Sequence, residues 1–455
     1  MRFLPQGDAD VRSMLERIGV SSISKLFDAI PGNLRHDEPL DLPPAQSEME
    51  LREAMGRWAG LNATAASHAW FLGAGVYNHY IPAAIGQLLL RSEFYTSYTP
   101  YQPEISQGTL QSIFEFQSLI ASLTEFEIAN ASLYDGASAM AEGVLMARRA
   151  RRGGQVLLSQ GIHPHYARVI RTYVRDLNLA LDTVPIAEDG RTDLESLERC
   201  LDSGSAQDGG IAVVAVQSPN FFGCVEDLGR LVAIAKRTGV LVQVGVAEAL
   251  SLGLLHGPGH YGADIAVGEG QSLGIPAQFG GPVLGFMAAR QSLLRQMPGR
   301  LAGAARDAEG RAGYVLTLAT REQHIRRGKA TSNICTNQGL MSLAATIYMS
   351  LMGKEGMREV ARQNHSKAVW ARERLAAVKG CSARFTAPIF NEFVLDLPGS
   401  AEEINRRLLE RKIMGGLPLG LYRADLSRSV LFCVTEMNSR CEIECLVRAL
   451  EEILS

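Results

Sequence analysis

Seven short apolar runs divide the middle of the chain: residues 127–132, 155–159, 180–184, 211–216, 241–246, 265–267 and 283–287. Several are apolar at nearly every position. That is the pattern of strands covered on both faces rather than on one. Stretches with helical spacing lie between them at 136–149, 165–177 and 227–238. Strands alternating with helices predict a mainly parallel sheet with helices on both sides. An apolar helix is predicted over 336–352, and helical spacing resumes over 355–378 after Gly353. A strand at 390–395, a helix at 401–412, a strand at 430–434 and a helix at 439–453 then form a smaller unit of about a hundred residues. Before the first strand, residues 8–30 read as a helical hairpin, 39–44 as an extended proline-rich arm and 48–62 as an amphipathic helix. The arm suits a linker or a wrap around a neighbouring subunit. The pattern predicts an N-terminal helical segment and arm (1–60), a large α/β domain (61–352) and a small C-terminal α/β domain (353–455).

Composition narrows the class. Of 455 residues, 46% are hydrophobic and 20% charged, as in ordinary globular enzymes. A net charge of −3 with scattered basic residues gives no footprint for nucleic acid. No apolar run reaches the ~20 residues that span a bilayer, and no apolar stretch follows Met1–Asp8 as a signal peptide requires. Seven dispersed cysteines point to a reducing cytoplasm. Cys441 and Cys445 lie one helical turn apart without a histidine pair nearby, so no metal site is expected there.

Two stretches are rich in chemistry without fitting a core element. Tyr98-Thr99-Pro100-Tyr101-Gln102-Pro103-Glu104-Ile105-Ser106-Gln107-Gly108 has neither helical nor strand period. Its prolines fix φ and remove donors, which predicts a stiff extended ribbon presenting phenol, amide, carboxylate and hydroxyl groups. A plain surface loop is the competing reading. Arg326-Arg327-Gly328-Lys329-Ala330-Thr331-Ser332-Asn333-Ile334-Cys335-Thr336 reads as a polar loop leading into the long helix, with Ser332 or Asn333 suited to the N-cap.

Both stretches closely resemble motifs of the glycine decarboxylase family, the P-protein of the glycine cleavage system. Phe71-Leu72-Gly73-Ala74-Gly75-Val76-Tyr77-Asn78-His79 precedes the ribbon as it does in that family. The resemblance covers essentially the whole chain from Leu51. It implies the fold-type I pyridoxal-phosphate transferase fold, in which a lysine holds the cofactor and an acid pairs with the pyridinium nitrogen. The catalytic chain of the family carries His-Lys-Thr-Phe where this one has Gly270-Gln271-Ser272-Leu273, and no lysine lies between Lys236 and Lys329. Gln271 takes the lysine's place, and an amide forms no Schiff base. Asn130–Ser138 falls where the fold places its phosphate loop. His163 stands about where an aromatic normally stacks on the cofactor, and Glu248 near the pyridinium acid. Each has an ordinary reading as well: Asp135 and Ser138 as helix caps, His163 as a surface histidine. Ser138, His163, Glu248 and Gln271 are thus the candidates for a vestigial pocket.

The resemblance further implies the lysine-less α chain of a two-chain enzyme. Glycine would lose its carboxylate as CO2, and its aminomethyl group would pass to the lipoylated H-protein. Pyridoxal phosphate would sit on a β partner within an α2β2 assembly. Tyr98, Tyr101, Gln102, Glu104 and Ser106 would line the shared site, with Thr331, Ser332 and Asn333 reaching the partner's cofactor phosphate. Two readings compete. A catalytically dead scaffold or regulator has no need of so polar a ribbon. A lone pyridoxal-phosphate transferase needs a lysine and would have to recruit Lys329 from another loop.

Overall fold

The computed structural model describes residues 5–36, 38–151, 153–204, 210–278 and 280–455. Met1–Leu4, the first half of the segment read for a leader, lie outside them. The chain divides into two compact units, Met1–Asn62 and Ala63–Ser455.

In the first unit, helix Asp8–Ile18 ends on Gly19 in the left-handed conformation, and a 3₁₀ turn at Ile23–Phe27 stands where a second α-helix was expected. Helix Glu48–Ala59 opens with a capping box: Ser47 Oγ accepts from Glu50 N, and the Glu50 carboxylate accepts from Ser47 N. Neither helix buries a residue within this unit, and Leu34, Leu40, Leu42, Met49, Trp58 and Leu61 all stand exposed.

The second unit is built on a seven-stranded sheet: β1 (Ile128–Ala129), β2 (Gln155–Ser159), β3 (Ala180–Val184), β4 (Ile211–Gln217), β5 (Leu241–Val246), β6 (Ile265–Glu269) and β7 (Gly285–Ala289), ordered β1-β7-β6-β5-β4-β2-β3. The strands from β3 across to β6 pair in parallel, and β7 runs against both its neighbours. β2, β4, β6 and β7 are buried at every position, which is why they read as unbroken apolar runs. β3 lies at an edge with three of its five positions exposed. Helices Gly136–Ala150 and Pro164–Val174 pack on one face around Met140, Val144 and Ile170. Helices Gln107–Thr124, Leu194–Gly204 and Leu228–Arg237 share the other core with Phe116, Leu197 and Leu231.

The long helix runs from Gly339 to Ala376 and breaks its φ/ψ at Gly353 (φ 57°, ψ −174°). It starts three residues later than the sequence pattern predicts. Its N-cap is Gln338 rather than Ser332 or Asn333, because Asn337 and Gln338 are tied to Ser132: its Oγ accepts from Asn337 Nδ2 at 3.0 Å and Gln338 N at 3.2 Å. Beyond it, Ser382–Ala383, Glu392–Asp396, Ser429–Cys433 and Leu417–Pro418 form an antiparallel sheet with its own core, lined by Phe393, Leu395, Phe432 and Leu446. A hairpin of Leu301–Arg306 and Ala312–Thr317 escapes the sequence pattern, since alanine and glycine carry little strand propensity. Its partner is helix Gln107–Thr124: the Gln107 amide bonds both N and O of Tyr314, and the Gln117 amide both N and O of Ala302.

Gly353 holds a backbone conformation that L side chains rarely adopt. Gly353→Ala should therefore cost about 1–3 kcal/mol even though its Cβ would meet open space, read as a lowered urea midpoint at unchanged slope.

Candidate functional site

Three of the four vestigial-pocket candidates, Gln271, His163 and Glu248, bond one segment, Phe71–His79, and Ser138 does not. Gln271, two residues beyond β6 and 2% exposed, spends its amide on this segment and on its own loop. Its Oε1 accepts from Tyr77 N at 2.9 Å, and its Nε2 donates to Tyr77 O at 3.1 Å and Ile275 O at 2.7 Å. His163 is buried, not a surface residue. Its side chain caps helix Pro164–Val174, with Nδ1 accepting from His165 N, and its Nε2 donates to Ala74 O at 3.0 Å. This assignment of donor and acceptor needs a neutral ring, in keeping with burial pushing His163 down to about 4. Glu248 accepts from Leu250 N, from Asn391 Nδ2 and from His79 Nε2 at 2.8 Å.

Ser138 belongs to the helix that opens at Gly136. Asp135 caps it, accepting from Ser138 N at 2.7 Å and from Ser138 Oγ at 3.0 Å. A second carboxylate, Glu269, accepts from Gly136 N at 3.0 Å, and also from Gln271 N and Leu284 N. The helix end that would attract an anion thus faces two of the chain's own acids. Burial pushes the Glu269 carboxyl up to about 7, with its backbone donors pulling the other way.

Segment 71–79 is also pinned from the C-terminal sheet. Tyr77 Oη donates to Glu392 Oε2 at 3.0 Å, and Ala74 N to Glu392 Oε1 at 2.6 Å. Burial raises Glu392 to about 7. His79 lies between two carboxylates, with Nδ1 2.8 Å from Glu436 and Nε2 2.8 Å from Glu248. Burial works against its charge, but Glu248 and then Glu436 outweigh that and lift it to about 10. Its two acids are themselves hydrogen-bonded, Glu248 to Asn391 and Glu436 to Asn364, which offsets the cost of burying the group.

The ribbon lies apart from this cluster. Its expected stiff extension stops at Gln102. Pro103–Ile105 turns as a 3₁₀ helix, and helix Gln107–Thr124 begins where the ribbon was to end, because Pro103 fits a first helical position. Tyr98 (80%), Tyr101 (50%), Gln102 and Glu104 are exposed, and Ser106 is half-buried. The structure does bring the ribbon to the second motif. A small cavity of about 120 Å³ is lined by Tyr98, Thr99 and Pro100 on one side and by Thr336, Asn337 and Leu340 on the other. Arg300, 3% exposed, joins them: it donates to Tyr101 Oη at 3.3 Å, Cys335 O at 2.6 Å and Asn337 Oδ1 at 3.2 Å. Thr331 N donates to Arg321 O, Ser332 Oγ accepts from Ile334 N, and Asn333 is exposed. The residues missed in sequence are Arg300, Glu269, Tyr77, Glu392 and the pair His79–Glu436. Their partners lie tens to hundreds of positions away, so no local spacing marks them.

A sheet of this order, with a helix N-terminus at the phosphate position and a small C-terminal domain, is that of the fold-type I class of pyridoxal-phosphate enzymes, here without the lysine of that class. A solved C-DES variant with glycine linked covalently to its PLP cofactor has the same fold at 16% identity (TM-score 0.62, covering 87% of this chain and 98% of that one). A crystal structure of glycine decarboxylase, the P-protein of the glycine cleavage system, in inhibitor-bound form matches at TM-score 0.89 and 42% identity over 100% of both chains. A curated relative in Desulforamulus reducens, a probable glycine dehydrogenase (decarboxylating) subunit 1, is 50% identical over 100% of both chains, and one of the same name in Moorella thermoacetica is 48% identical over 100% of both. The family model for the glycine cleavage system P-protein matches residues 1–450, and the chain belongs to that family, the glycine dehydrogenases (decarboxylating). Pyridoxal phosphate itself does not fit this chain's own pocket: Gln271 offers no amine, Glu269 and Asp135 hold the helix end a phosphate would take, and Ala74–Tyr77 lie against His163 and Gln271.

The charge on His79 gives a pH signature. Its folded value near 10 lies above the ~6.5 of an unfolded histidine, so its stabilisation is complete below about pH 6.5 and disappears as pH rises toward 10. Denaturant unfolding of the native chain and His79→Gln should show a stability gap that is widest near pH 6 and shrinks steadily toward pH 10; a gap that does not change with pH would mean a neutral His79.

Proposed function

We propose that this chain is the lysine-less subunit of a two-chain glycine decarboxylase and completes an active site whose pyridoxal phosphate is held by the lysine of a β partner. The observation that carries this reading is the Gln271 amide, fixed by three hydrogen bonds where a cofactor-bearing lysine would stand. In this reading the cofactor, when bound on the partner, supplies the electron sink for decarboxylation of glycine. The contribution of this subunit is to position groups and exclude water. Tyr98, Tyr101, Gln102, Glu104 and Ser106 line the shared site, with Arg300 holding the Tyr101 phenol. Thr331, Ser332 and Asn333 face the partner's cofactor phosphate, and the aminomethyl group passes to a lipoylated H-protein. Exposed Tyr95, Tyr98, Ile105 and Ile325 give this region apolar area of the kind that obligate interfaces bury, which supports an α2β2 pairing. Residues 61–352 act as the large vestigial domain, 353–455 as the small one and 1–60 as an arm. Among the described residues no helix is long and apolar enough to cross a membrane, and we place the protein in the cytoplasm.

Borohydride reduction after incubation with pyridoxal phosphate, followed by peptide mapping, should leave every lysine of the isolated chain unmodified. The isolated chain should also lack glycine–bicarbonate exchange and gain it on mixing with a cognate β chain. Stoichiometric labelling of one lysine, or exchange by this chain alone, would overturn the division of labour; a complex that forms but never exchanges would favour a scaffold.

Tyr101→Phe and Glu104→Gln test the ribbon. Both change exposed groups at nearly constant volume, so stability should move by no more than about 0.5 kcal/mol. Exchange by the αβ complex should fall by an amount worth about 2–4 kcal/mol in the barrier. A large drop in melting temperature with a normal rate would make the ribbon structural.

A further inference from the structure

One cavity of residues 63–455 serves neither the vestigial pocket nor the ribbon. It encloses about 540 Å³ between helix Pro164–Val174 and the segment 419–426. This volume is in the range of small-molecule sites. Its floor is apolar and buried: Leu158, Phe221, Phe222, Leu419 and Leu426. Its walls are basic. Arg168 and Arg171, three residues apart, lie on one face of the helix, and Arg423 comes from the opposite side. Among the described residues no carboxylate lines the cavity, and neither Arg168 nor Arg171 is ion-paired. Arg423 directs Nε and Nη2 at Asp425, at 3.1 and 2.6 Å, and this leaves its Nη1 buried with no partner. Tyr422 stands edge-on to Phe221, with centroids 5.6 Å apart and planes at 81°.

Two features need an occupant to explain them. Arg168 and Arg171, without ion-pair partners, line the same cavity, and guanidinium forks suit a phosphate, which accepts from several at once. The aromatic and aliphatic lining matches a flat apolar body rather than a bare ion.

We propose that this cavity binds a small phosphorylated molecule with a planar aromatic body, the chemical class of a nucleoside monophosphate. The phosphate lies against Arg168 and Arg171, and the ring lies against Tyr422 and Phe221. The walls come from segments some 250 positions apart in the sequence, so occupancy ties the helix of the large sheet to the C-terminal sheet. Nothing in this inference depends on the decarboxylase reading.

Isothermal titration of the full chain with adenosine monophosphate, phenyl phosphate, adenosine and inorganic phosphate tests it. The two aromatic phosphates should bind saturably, and adenosine and inorganic phosphate about tenfold more weakly or worse. The same two ligands should raise the melting temperature, because binding to the folded state stabilises it. The R168Q/R171Q double variant should melt as the native chain does, since both side chains are exposed, yet lose about tenfold or more of its affinity for the aromatic phosphates. Binding by the double variant equal to that of the native chain would overturn the proposal, as would failure of both aromatic phosphates to bind at concentrations on the order of 1 mM. Inorganic phosphate binding as tightly as adenosine monophosphate would reduce the site to an anion hole and overturn the aromatic half.

Discussion

The Gln271 amide on the Tyr77 backbone is the contact on which the interior of the site depends. A carboxamide offers an acceptor and donors together, so one side chain satisfies both the N–H and the C=O of Tyr77. Lysine has donors only and carries a charge. In the same place it would leave the Tyr77 N–H without an acceptor and set an ammonium beside a buried backbone, each an unfavourable change of a few kcal/mol. Glutamine at 271 and a filled pocket are therefore two sides of one constraint. With Tyr77 fixed, its phenol reaches Glu392 and the following turn delivers His79 between Glu248 and Glu436. Segment 71–79 becomes a staple between the large sheet and the C-terminal sheet.

The helix beginning at Gly136 shows the same closure in electrostatic form. Its first free N–H groups and its dipole favour an anion, and the chain supplies both acids itself. Asp135 is a local cap, readable from its position. Glu269 arrives from 133 residues away, and it does so because β6 ends beside the helix N-terminus. Burial dominates its behaviour: three backbone donors do not keep its carboxyl in the ordinary range, and it rises to about 7. A group so held is a structural plug, and its titration near neutrality follows from its dry surroundings.

The large sheet was legible because burial on both faces removes alternation, so β2, β4, β5 and β6 stand out as apolar runs bounded by glycine and polar residues. Gly353 announced the break in the long helix because no other residue takes its φ without strain. The hairpin at 301–317 was not legible. Its alanines and glycines are held by the amides of Gln107 and Gln117, which belong to a helix two hundred residues earlier. The site divides along the same line. Gln271 could be placed from its neighbours in the sequence, but what it bonds could not. His163 looked like a surface residue until Ala74 and Phe221 closed over it, with the Phe221 ring 4.9 Å from its own. The extension of the ribbon was overestimated because Pro103 was read only as holding the backbone extended, although at a first helical position it starts a turn.

The two halves of the chain's polar chemistry are disposed in opposite ways. Inside, each donor of Gln271, His163 and His79 has an acceptor, and the acids around them are hydrogen-bonded, so these three side chains have no donor left for a ligand. On the ribbon, the side chains of Tyr98, Gln102 and Glu104 have no partner among the described residues, while Arg300 beneath them spends Nη1 and Nη2 on Asn337, Cys335 and Tyr101 and holds Tyr101 in place. A fixed backbone that carries free polar groups costs conformational entropy and returns little to the isolated fold. The arrangement becomes favourable only when those groups meet a surface that pairs with them. The unspent hydrogen-bonding capacity of the ribbon therefore faces outward, toward the place where the decarboxylase reading puts the second subunit.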